Sequence, residues 1–233
     1  MEALILVGGK GTRLKSVVSD VPKPMAKVNG VPFLEILLRR LVVTGISRII
    51  LLTGYMHEAI ESHFGNKFFC GASIDYSREE TPLGTGGAIR KGLQLAKEEN
   101  VLLLNGDTLF DVDIRELYSK HMRFNTSLTL SLKHMRQCER YGTVEMVGDK
   151  VISFMEKGEA SEGYINGGVY ACQKDIFEHE ILPEKFSFEE DYLIPSASFN
   201  DFRGLVSDGY FIDIGIPDDY ARIQREVLPR NGE

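Results

Sequence analysis

The feature that most constrains the fold is an uninterrupted apolar run, residues 3–7, which ends in the pair Gly8-Gly9. A strand with one face in water alternates apolar and polar residues, whereas a strand buried on both faces is apolar throughout. Residues 49–52 and 101–104 are further runs of the same kind. The sequence therefore predicts a parallel sheet that is covered on both faces.

Helical patterns separate these runs. Apolar residues recur at helical spacing over residues 33–44 and 55–64, and a glycine follows each segment, as is common just past a helix. A third helix is expected after a glycine-rich turn at residues 84–87 and should continue to about residue 97. Alternating strands and helices are typical of an α/β fold with a doubly wound sheet.

The pattern changes beyond residue 125. Apolar residues alternate with polar ones near residues 128–132 and 144–146, which predicts antiparallel or edge strands with one face in water. A short helix is expected at Ser187, with Glu190 completing a capping box. We expect one Rossmann-like α/β domain over residues 1–233, with a mixed, mostly parallel sheet flanked by helices and antiparallel strands in its second half.

Composition excludes several classes of protein. A net charge of -7 argues against a general nucleic-acid surface, and the apolar runs are too short to cross a bilayer. The first residues lack the basic segment and longer apolar stretch of a secretory signal. Three scattered cysteines form no C-x-x-C pair. We expect a cytoplasmic protein with reduced cysteines and neither a nucleic-acid nor a membrane partner.

Residues 8–14, Gly-Gly-Lys-Gly-Thr-Arg-Leu, follow the first predicted strand directly. Glycines at this place let backbone N–H groups approach phosphate oxygens. The order does not match a P-loop, and the third glycine and distal acid of a dinucleotide fingerprint are missing, which disfavours an oxidoreductase. For the glycines alone, a tight turn with solvated basic residues is the alternative interpretation.

A second motif follows about ten residues later, where Pro22 and Pro24 flank Lys23 and restrict the backbone on both sides of it. Together, G-G-x-G-T-R-L and P-K-P-M resemble the signature of the sugar-1-phosphate nucleotidyltransferases. The resemblance implies a nucleotide-binding half at residues 1–110 and a sugar-phosphate-binding half at residues 111–233. It also implies transfer of a nucleoside monophosphate to a sugar 1-phosphate, with pyrophosphate released and Mg²⁺ as cofactor.

The resemblance continues along nearly the whole chain and assigns site residues by motif. It implies these catalytic residues: Arg13, Lys23, Asp107 and Asp213. It implies these nucleotide-binding residues: Leu6, Gly8, Gly9, Gly11, Thr12, Glu79, Pro82, Gly84 and Thr85. It implies these sugar-phosphate-binding residues: Gly106, Tyr141, Gly142, Glu156, Lys157, Asn166 and Gly168. Gly158 departs from the family pattern, in which a proline often follows the Glu-Lys pair.

The implied reaction needs no enzyme nucleophile, so catalysis reduces to positioning and charge neutralisation. Arg13 would draw charge from the departing phosphates, Lys23 would bridge the α-phosphate and the incoming phosphate, and Lys157 would hold the sugar phosphate. Asp107 and Asp213 each follow a strand pattern. Either aspartate alone could cap a turn, but a converging pair could hold Mg²⁺, which prefers oxygen ligands.

Glu79 bears on the choice of base. Guanine presents N1–H and its 2-amino group as adjacent donors, which a carboxylate accepts bidentately. Relatives that use UTP or dTTP commonly have glutamine here, so the glutamate favours GTP, with a solvated loop acid as the alternative.

For the sugar, the opening and closing motifs look most like guanylyltransferases that act on D-glycero-D-manno-heptose 1-phosphate in bacterial surface-polysaccharide synthesis. Mannose-1-phosphate guanylyltransferases and UTP-dependent amino-sugar-1-phosphate uridylyltransferases are the alternatives. A non-catalytic regulatory homologue that binds nucleotide-sugars is the alternative outside enzymes, and a homodimer is a further expectation.

Overall fold

The computed structural model describes residues 1–9, 11, 14, 17–18, 20–158 and 160–226. The strands are β1 Glu2–Leu6, β2 Lys27–Val28, β3 Val31–Pro32, β4 Arg48–Thr53, β5 Ser73–Arg78, β6 Asn100–Asn105, β7 Thr108–Phe110, β8 Leu128–Arg136, β9 Thr143–Val147, β10 Lys150–Met155, β11 Glu162–Gln173, β12 Arg203–Ser207 and β13 Phe211–Asp213. The α-helices are α1 Phe33–Val43, α2 His57–Phe64, α3 Gly84–Leu93, α4 Ile114–Phe124, α5 Ile194–Ser196 and α6 Pro217–Ile223.

Nine strands form one sheet in the order β5-β4-β1-β6-β11-β8-β12-β10-β9. The strands β5, β4, β1 and β6 are parallel, and β11 runs antiparallel to both β6 and β8. The predicted α/β class is therefore confirmed, with a parallel first part and mainly antiparallel strands after it. The pair β8 and β12 is parallel and is the exception in the second half.

Apolar side chains fill both faces of this sheet. On one face, α1, α2 and α4 pack against residues such as Ile5 and Leu51, which are fully buried. On the other face, α3 and the segment around Phe186 and Tyr192 pack against Leu4 and Leu52. Burial on both faces explains why the first strands are apolar throughout rather than alternating. Every helix among the described residues is too short or too polar to cross a bilayer.

The prediction that β8 has one wet face is wrong. Thr129 and Ser131 are fully buried, as are the leucines between which they lie. The hydroxyl of Thr129 hydrogen-bonds the ring of His121 on α4 at 3.0 Å, and that of Ser131 donates to the Val169 carbonyl at 2.7 Å. These hydrogen bonds satisfy both hydroxyl groups. The polar residues that alternate with leucine along β8 are therefore buried with protein partners and are not exposed to water.

Both predicted bounds of α3 are wrong, and the predicted capping box at Ser187 is confirmed only in part. The glycines of residues 84–87 form the first turn of α3 instead of preceding it, and α3 ends at Leu93. At the predicted cap, Ser187 Oγ does accept a hydrogen bond from the Glu190 N–H. The reciprocal bond to the Ser187 N–H is made by Asp191, at 2.6 Å, because the segment Phe188–Leu193 is a π-helix with a wider turn.

Candidate active site

The carboxyl ends of β1, β4 and β6 meet at one edge of the sheet, where open α/β sheets place their ligands. Two cavities open there. The first, called here the Lys23 cleft, has a volume of 290 Å³ and is lined by Leu6, Val7, Gly9, Gly11, Lys23, Pro24, Thr85, Asn105, Asp107 and Gly215. The second, called here the Glu79 pocket, has a volume of 560 Å³ and is lined by Leu6, Gly8, Gly9, Gly54, Tyr55, Glu79, Glu80, Thr81, Pro82, Gly84, Thr85, Ala88 and Lys185. The two cavities share Leu6, Gly9 and Thr85, so they form one continuous site.

A two-stranded sheet brings the predicted acids together. Strand β13 pairs antiparallel with β7, which places Asp213 opposite Thr108. The Ile214 N–H then donates to the carbonyl of Asp107 at 3.0 Å. Two aspartates that are distant along the chain are thus held side by side by backbone hydrogen bonds.

Lys23 contacts both carboxylates. Its Nζ lies 2.5 Å from Asp107 Oδ2 and 3.5 Å from Asp213 Oδ1, and its side chain is 10% exposed. The lysine begins a short 3₁₀ turn, Lys23–Met25, which Pro22 precedes in extended conformation. Gly11, at φ +56°, packs against the lysine stem, and a Cβ at Gly11 would lie 2.8 Å from Lys23 Cβ. The proline-flanked lysine is therefore fixed in direction, as its sequence context predicts.

The charges of the cluster suit a cation. Burial and the neighbouring Asp107 charge raise the pKa of the Asp213 carboxyl, while Lys23 and the Gly215 N–H oppose that shift. Both aspartates remain about one-third exposed, which leaves room for the water ligands that a hard divalent cation keeps. No third His, Cys, Asp or Glu side chain completes a metal cluster among the described residues. Water and substrate phosphates would have to supply the other ligands.

Glu79 lines the Glu79 pocket, and its backbone is held by a hydrogen bond to the neighbouring strand. Its N–H donates to the Thr53 carbonyl at 2.8 Å, which continues the pairing with β4 beyond the end of β5. Its carboxylate lies against Gly54, where a Cβ would be 3.1 Å from Glu79 Oε2. Burial raises the pKa of the Glu79 carboxyl, and a hydrogen bond from Leu83 and the charge of Lys91 oppose the shift. The carboxylate is half-buried and faces a cavity of about the size that a small ligand needs.

The first turn of α3 borders the same pocket. Gly84 has φ +73°, and a Cβ there would overlap the carbonyl of Phe186. That carbonyl accepts the Gly86 N–H at 2.9 Å, and Thr85 Oγ1 accepts the Phe188 N–H at 2.8 Å. The glycines are therefore required by close packing of a distant segment on the helix, which the sequence pattern by itself did not indicate.

None of the predicted sugar-side residues, all of which the structure describes, lines the Lys23 cleft, although Gly168 and Gly106 adjoin residues that do. Gly168, at φ +71°, packs against Asn105, which lines the cleft. The Asn166 side chain accepts the Gly168 N–H at 3.1 Å and donates to Tyr170 at 2.7 Å. The Tyr141 ring packs edge-on against Phe211, two residues before Asp213.

Burial and the charges of two aspartates raise the pKa of Tyr141. The Gly106 N–H donates to the Leu6 carbonyl at 2.9 Å, which joins β1 to the turn that carries Asp107. Gly142 lies close to the Met155 carbonyl.

Other predicted site residues either are exposed, without side-chain partners in the part of the chain that the structure describes, or lie outside that part. Glu156 and Lys157 are exposed, and neither makes a hydrogen bond or ion pair with a residue that the structure describes. Thr12 and Arg13 lie outside the described residues. Asn105, Gly215 and Lys185 line the two cavities although none of them is among the predicted site residues. Asn105 ends β6 and could have been found from that position.

Comparison with known proteins agrees with this geometry. Residues 2–230 match the family model described as Nucleotidyl transferase. The chain is 56% identical over 227 residues to the D-glycero-alpha-D-manno-heptose 1-phosphate guanylyltransferase of Aneurinibacillus thermoaerophilus, covering 97% of this chain and 98% of that relative. It is 48% identical over 222 residues to the Campylobacter jejuni protein of the same name, with 94% and 97% of the two chains covered.

A solved structure is similar over nearly the whole chain as well. The crystal structure of HddC from Yersinia pseudotuberculosis complexed with GMP-PN has a TM-score of 0.85 and 37% sequence identity, and the match covers 96% of this chain and 97% of that one. The resemblance drawn from the glycine-rich loop and the proline-flanked lysine is thereby confirmed: the chain belongs to the nucleotidyl transferase family.

Proposed function

We propose that this protein transfers GMP from GTP to D-glycero-α-D-manno-heptose 1-phosphate, giving the GDP-sugar and pyrophosphate. The half-buried Glu79 carboxylate in its pocket is the structural observation that carries the choice of GTP. The two guanylyltransferases reported above, each matched over nearly its full length, support both the reaction and the sugar.

The two cavities bind different parts of the nucleotide. Guanine occupies the Glu79 pocket, where the carboxylate accepts hydrogen bonds from N1–H and the 2-amino group. The phosphates extend past the shared residues into the Lys23 cleft. The sugar 1-phosphate enters from the side of Tyr141, Asn166 and Gly168.

The chain promotes the reaction through positioning and charge. Lys23 donates to phosphate oxygens, and its fixed direction means that little reorganisation is needed at the moment of reaction. Arg13 and Lys157 are proposed to neutralise the departing pyrophosphate and the sugar phosphate, respectively. Asp107 and Asp213 would hold Mg²⁺, whose chemistry is to neutralise charge on the triphosphate. A phosphate oxygen of the sugar 1-phosphate is the nucleophile, so no side chain has to form a covalent bond.

A matrix of pyrophosphate release tests this function. Purified protein is incubated with GTP, ATP, UTP, CTP or dTTP against heptose, mannose, glucose and N-acetylglucosamine 1-phosphates, with Mg²⁺ or EDTA. The greatest kcat/KM is expected for GTP with heptose 1-phosphate, and EDTA should abolish turnover. A preference for mannose 1-phosphate would move the assignment to the second guanylyltransferase class, and preference for UTP would reject the proposed role of Glu79. Binding without turnover by any pair would favour the regulatory homologue.

GTP and sugar phosphates are cytoplasmic metabolites, and this supports a cytoplasmic location for the protein. The homodimer stays a prediction. In the second half of the sheet, β9 pairs with both β10 and β11, so it is not available as a free edge strand. Sedimentation velocity at several concentrations measures the oligomeric state directly.

A further inference from the structure

The Glu79 pocket is also lined by an exposed cationic residue. Lys185 lines the pocket together with Glu79, although the two residues come from opposite halves of the chain. We propose that Lys185 is a specificity-determining residue that donates a hydrogen bond to O6 of guanine. This inference rests on the proposed use of GTP and extends it to a second functional group of the base.

The backbone on both sides of Lys185 is anchored to α3. The Phe186 N–H donates to the Leu83 carbonyl at 3.0 Å, and the Phe186 carbonyl accepts the Gly86 N–H at 2.9 Å. On the other side, the Arg90 guanidinium donates to the carbonyls of Pro183 at 2.7 Å and Glu184 at 3.1 Å. The Arg90 guanidinium also lies 4.9 Å from the centroid of the Phe186 ring. The backbone of Lys185 is therefore held beside the pocket by the hydrogen bonds of its neighbours on both sides.

The ammonium group of Lys185 is available to a ligand. Among the described residues it makes no hydrogen bond or ion pair, although Glu79 and Glu80 line the same pocket. The adjacent cation Lys91 differs, because its Nζ donates to the Arg78 carbonyl at 2.5 Å. A lysine ammonium carries three donors and no acceptor, so its partner in the pocket must present an acceptor atom.

The Watson–Crick edge of guanine matches the carboxylate of Glu79 and the ammonium of Lys185. N1–H and the 2-amino group are donors that suit the Glu79 carboxylate, whereas O6, next to N1, is an acceptor that suits a lysine. Adenine carries an amino group in place of O6, so it would place donors against the lysine. A carboxylate and an ammonium that line one pocket thus match the donors and the acceptor on the Watson–Crick edge of guanine and oppose those of adenine.

The test compares GTP with 6-thio-GTP, in which a poorly accepting sulfur replaces O6 while N1–H and the 2-amino group remain. Wild-type protein is expected to prefer GTP in kcat/KM by about tenfold. Lys185→Met should lower kcat/KM for GTP by about tenfold and bring the ratio between the two nucleotides close to one. Lys185→Arg, which keeps a donor, should retain a preference for GTP.

The matched control is Lys174→Met, a partly exposed lysine that pairs with Glu99 near the start of β6, away from the cavities. It should leave both nucleotides unaffected. Equal losses with GTP and 6-thio-GTP in Lys185→Met would mean that the lysine acts on the phosphates, and would overturn the inference. If wild-type protein does not prefer GTP over the other natural triphosphates, the proposed function fails instead, so the two failures are distinguishable.

Discussion

At the scale of single residues, two titratable side chains differ in their surroundings: Glu79 is half-buried, and His121 is fully buried. Glu79 faces a cavity and keeps acceptor capacity for a ligand. His121 is 1% exposed and has both ring nitrogens occupied by protein partners. The surroundings of Glu79 therefore fit its proposed role in binding, whereas those of His121 fit a role in stability.

Replacing Glu79 by glutamine should change the choice of base. The amide offers one acceptor instead of two and directs a donor at the guanine donors, so the kcat/KM ratio of GTP to UTP should fall by about tenfold. Parallel assays of Glu80→Gln, an exposed neighbour at the same pocket, provide the control and should show little change. An unchanged GTP-to-UTP ratio in Glu79→Gln would count against the role of the carboxylate.

His121 should make the fold less stable in mild acid. Burial lowers its pKa from 6.5 to about 4, and its contacts with Thr129 and Asn100 suit a neutral ring, with one nitrogen accepting and the other donating. As the pH falls below 6.5, the unfolded chain binds the proton first, so stability is lost progressively down to about pH 4. At pH 5.5 the expected loss from this group is about 1.4 kcal/mol.

Urea denaturation at pH 7.5 and pH 5.5 measures this contribution. His121→Gln should lower stability at pH 7.5 but lose about 1.4 kcal/mol less than wild type between the two pH values. His179→Gln, at an exposed histidine, should keep the wild-type pH dependence. The same pH dependence in all three proteins would contradict a neutral buried His121.

At the scale of elements, the first turn of α3 illustrates that a motif residue can be required by protein packing as well as lie beside a cavity. Gly84, Gly86 and Gly87 each lie against the segment that carries Phe186 or Glu184, so side chains at these positions would collide with protein atoms. The same helix turn borders both cavities through Thr85. The packing of a distant segment and the shape of both cavities thus depend on one element.

Gly84→Ala should destabilise this element more than backbone strain alone explains. Alanine at φ +73° costs about 1 kcal/mol, and the overlap of its Cβ with the Phe186 carbonyl should bring the total to about 3 kcal/mol. Gly148→Ala is the matched control, since Gly148 has φ +60° but open space around it, and should cost about 1 kcal/mol. Chemical denaturation compares the two variants. Equal losses would show that the segment around Phe186 adjusts to the methyl group.

At the scale of the whole molecule, the site depends on the pairing of β7 with β13. That pairing joins Asp107 to Asp213 across the two halves of the chain, and Lys23 from a third segment lies between them. The site therefore forms only when the complete topology has formed.

Asp107→Asn and Asp213→Asn should each reduce metal-dependent pyrophosphate release at least about a hundredfold, because an amide is a poor ligand for a hard cation. Far-UV circular dichroism should be unchanged, since both side chains are partly exposed and asparagine is nearly isosteric with aspartate. Asp149→Asn, an exposed aspartate in the turn between β9 and β10, controls for the loss of a charge. Normal rates in both site variants would reject the metal assignment.

Local patterns in the sequence determined a large part of the architecture. Uninterrupted apolar runs predict β1, β4 and β6, helical spacing predicts α1 and α2, and glycine and proline mark where the functional loops begin. These inferences succeed because hydrophobic periodicity and backbone restriction act within a few residues, so a short window contains the whole physical cause. The prolines around Lys23 and the strand-end position of Asp107 are local patterns of this kind, whereas the family resemblance predicted Glu79 and joined the three residues into one site.

Only the tertiary structure decided which distant groups share a partner. The burial of Thr129 and Ser131 depends on α4 and β11, the Asp191 cap depends on a π-helical turn, and Lys185 reaches the Glu79 pocket because the Phe186 segment docks on α3. Each outcome results from contacts between segments far apart along the chain, and the same local sequence could make other contacts in another topology. The order and pairing of strands, which no local pattern contains, therefore determined the electrostatics of the site.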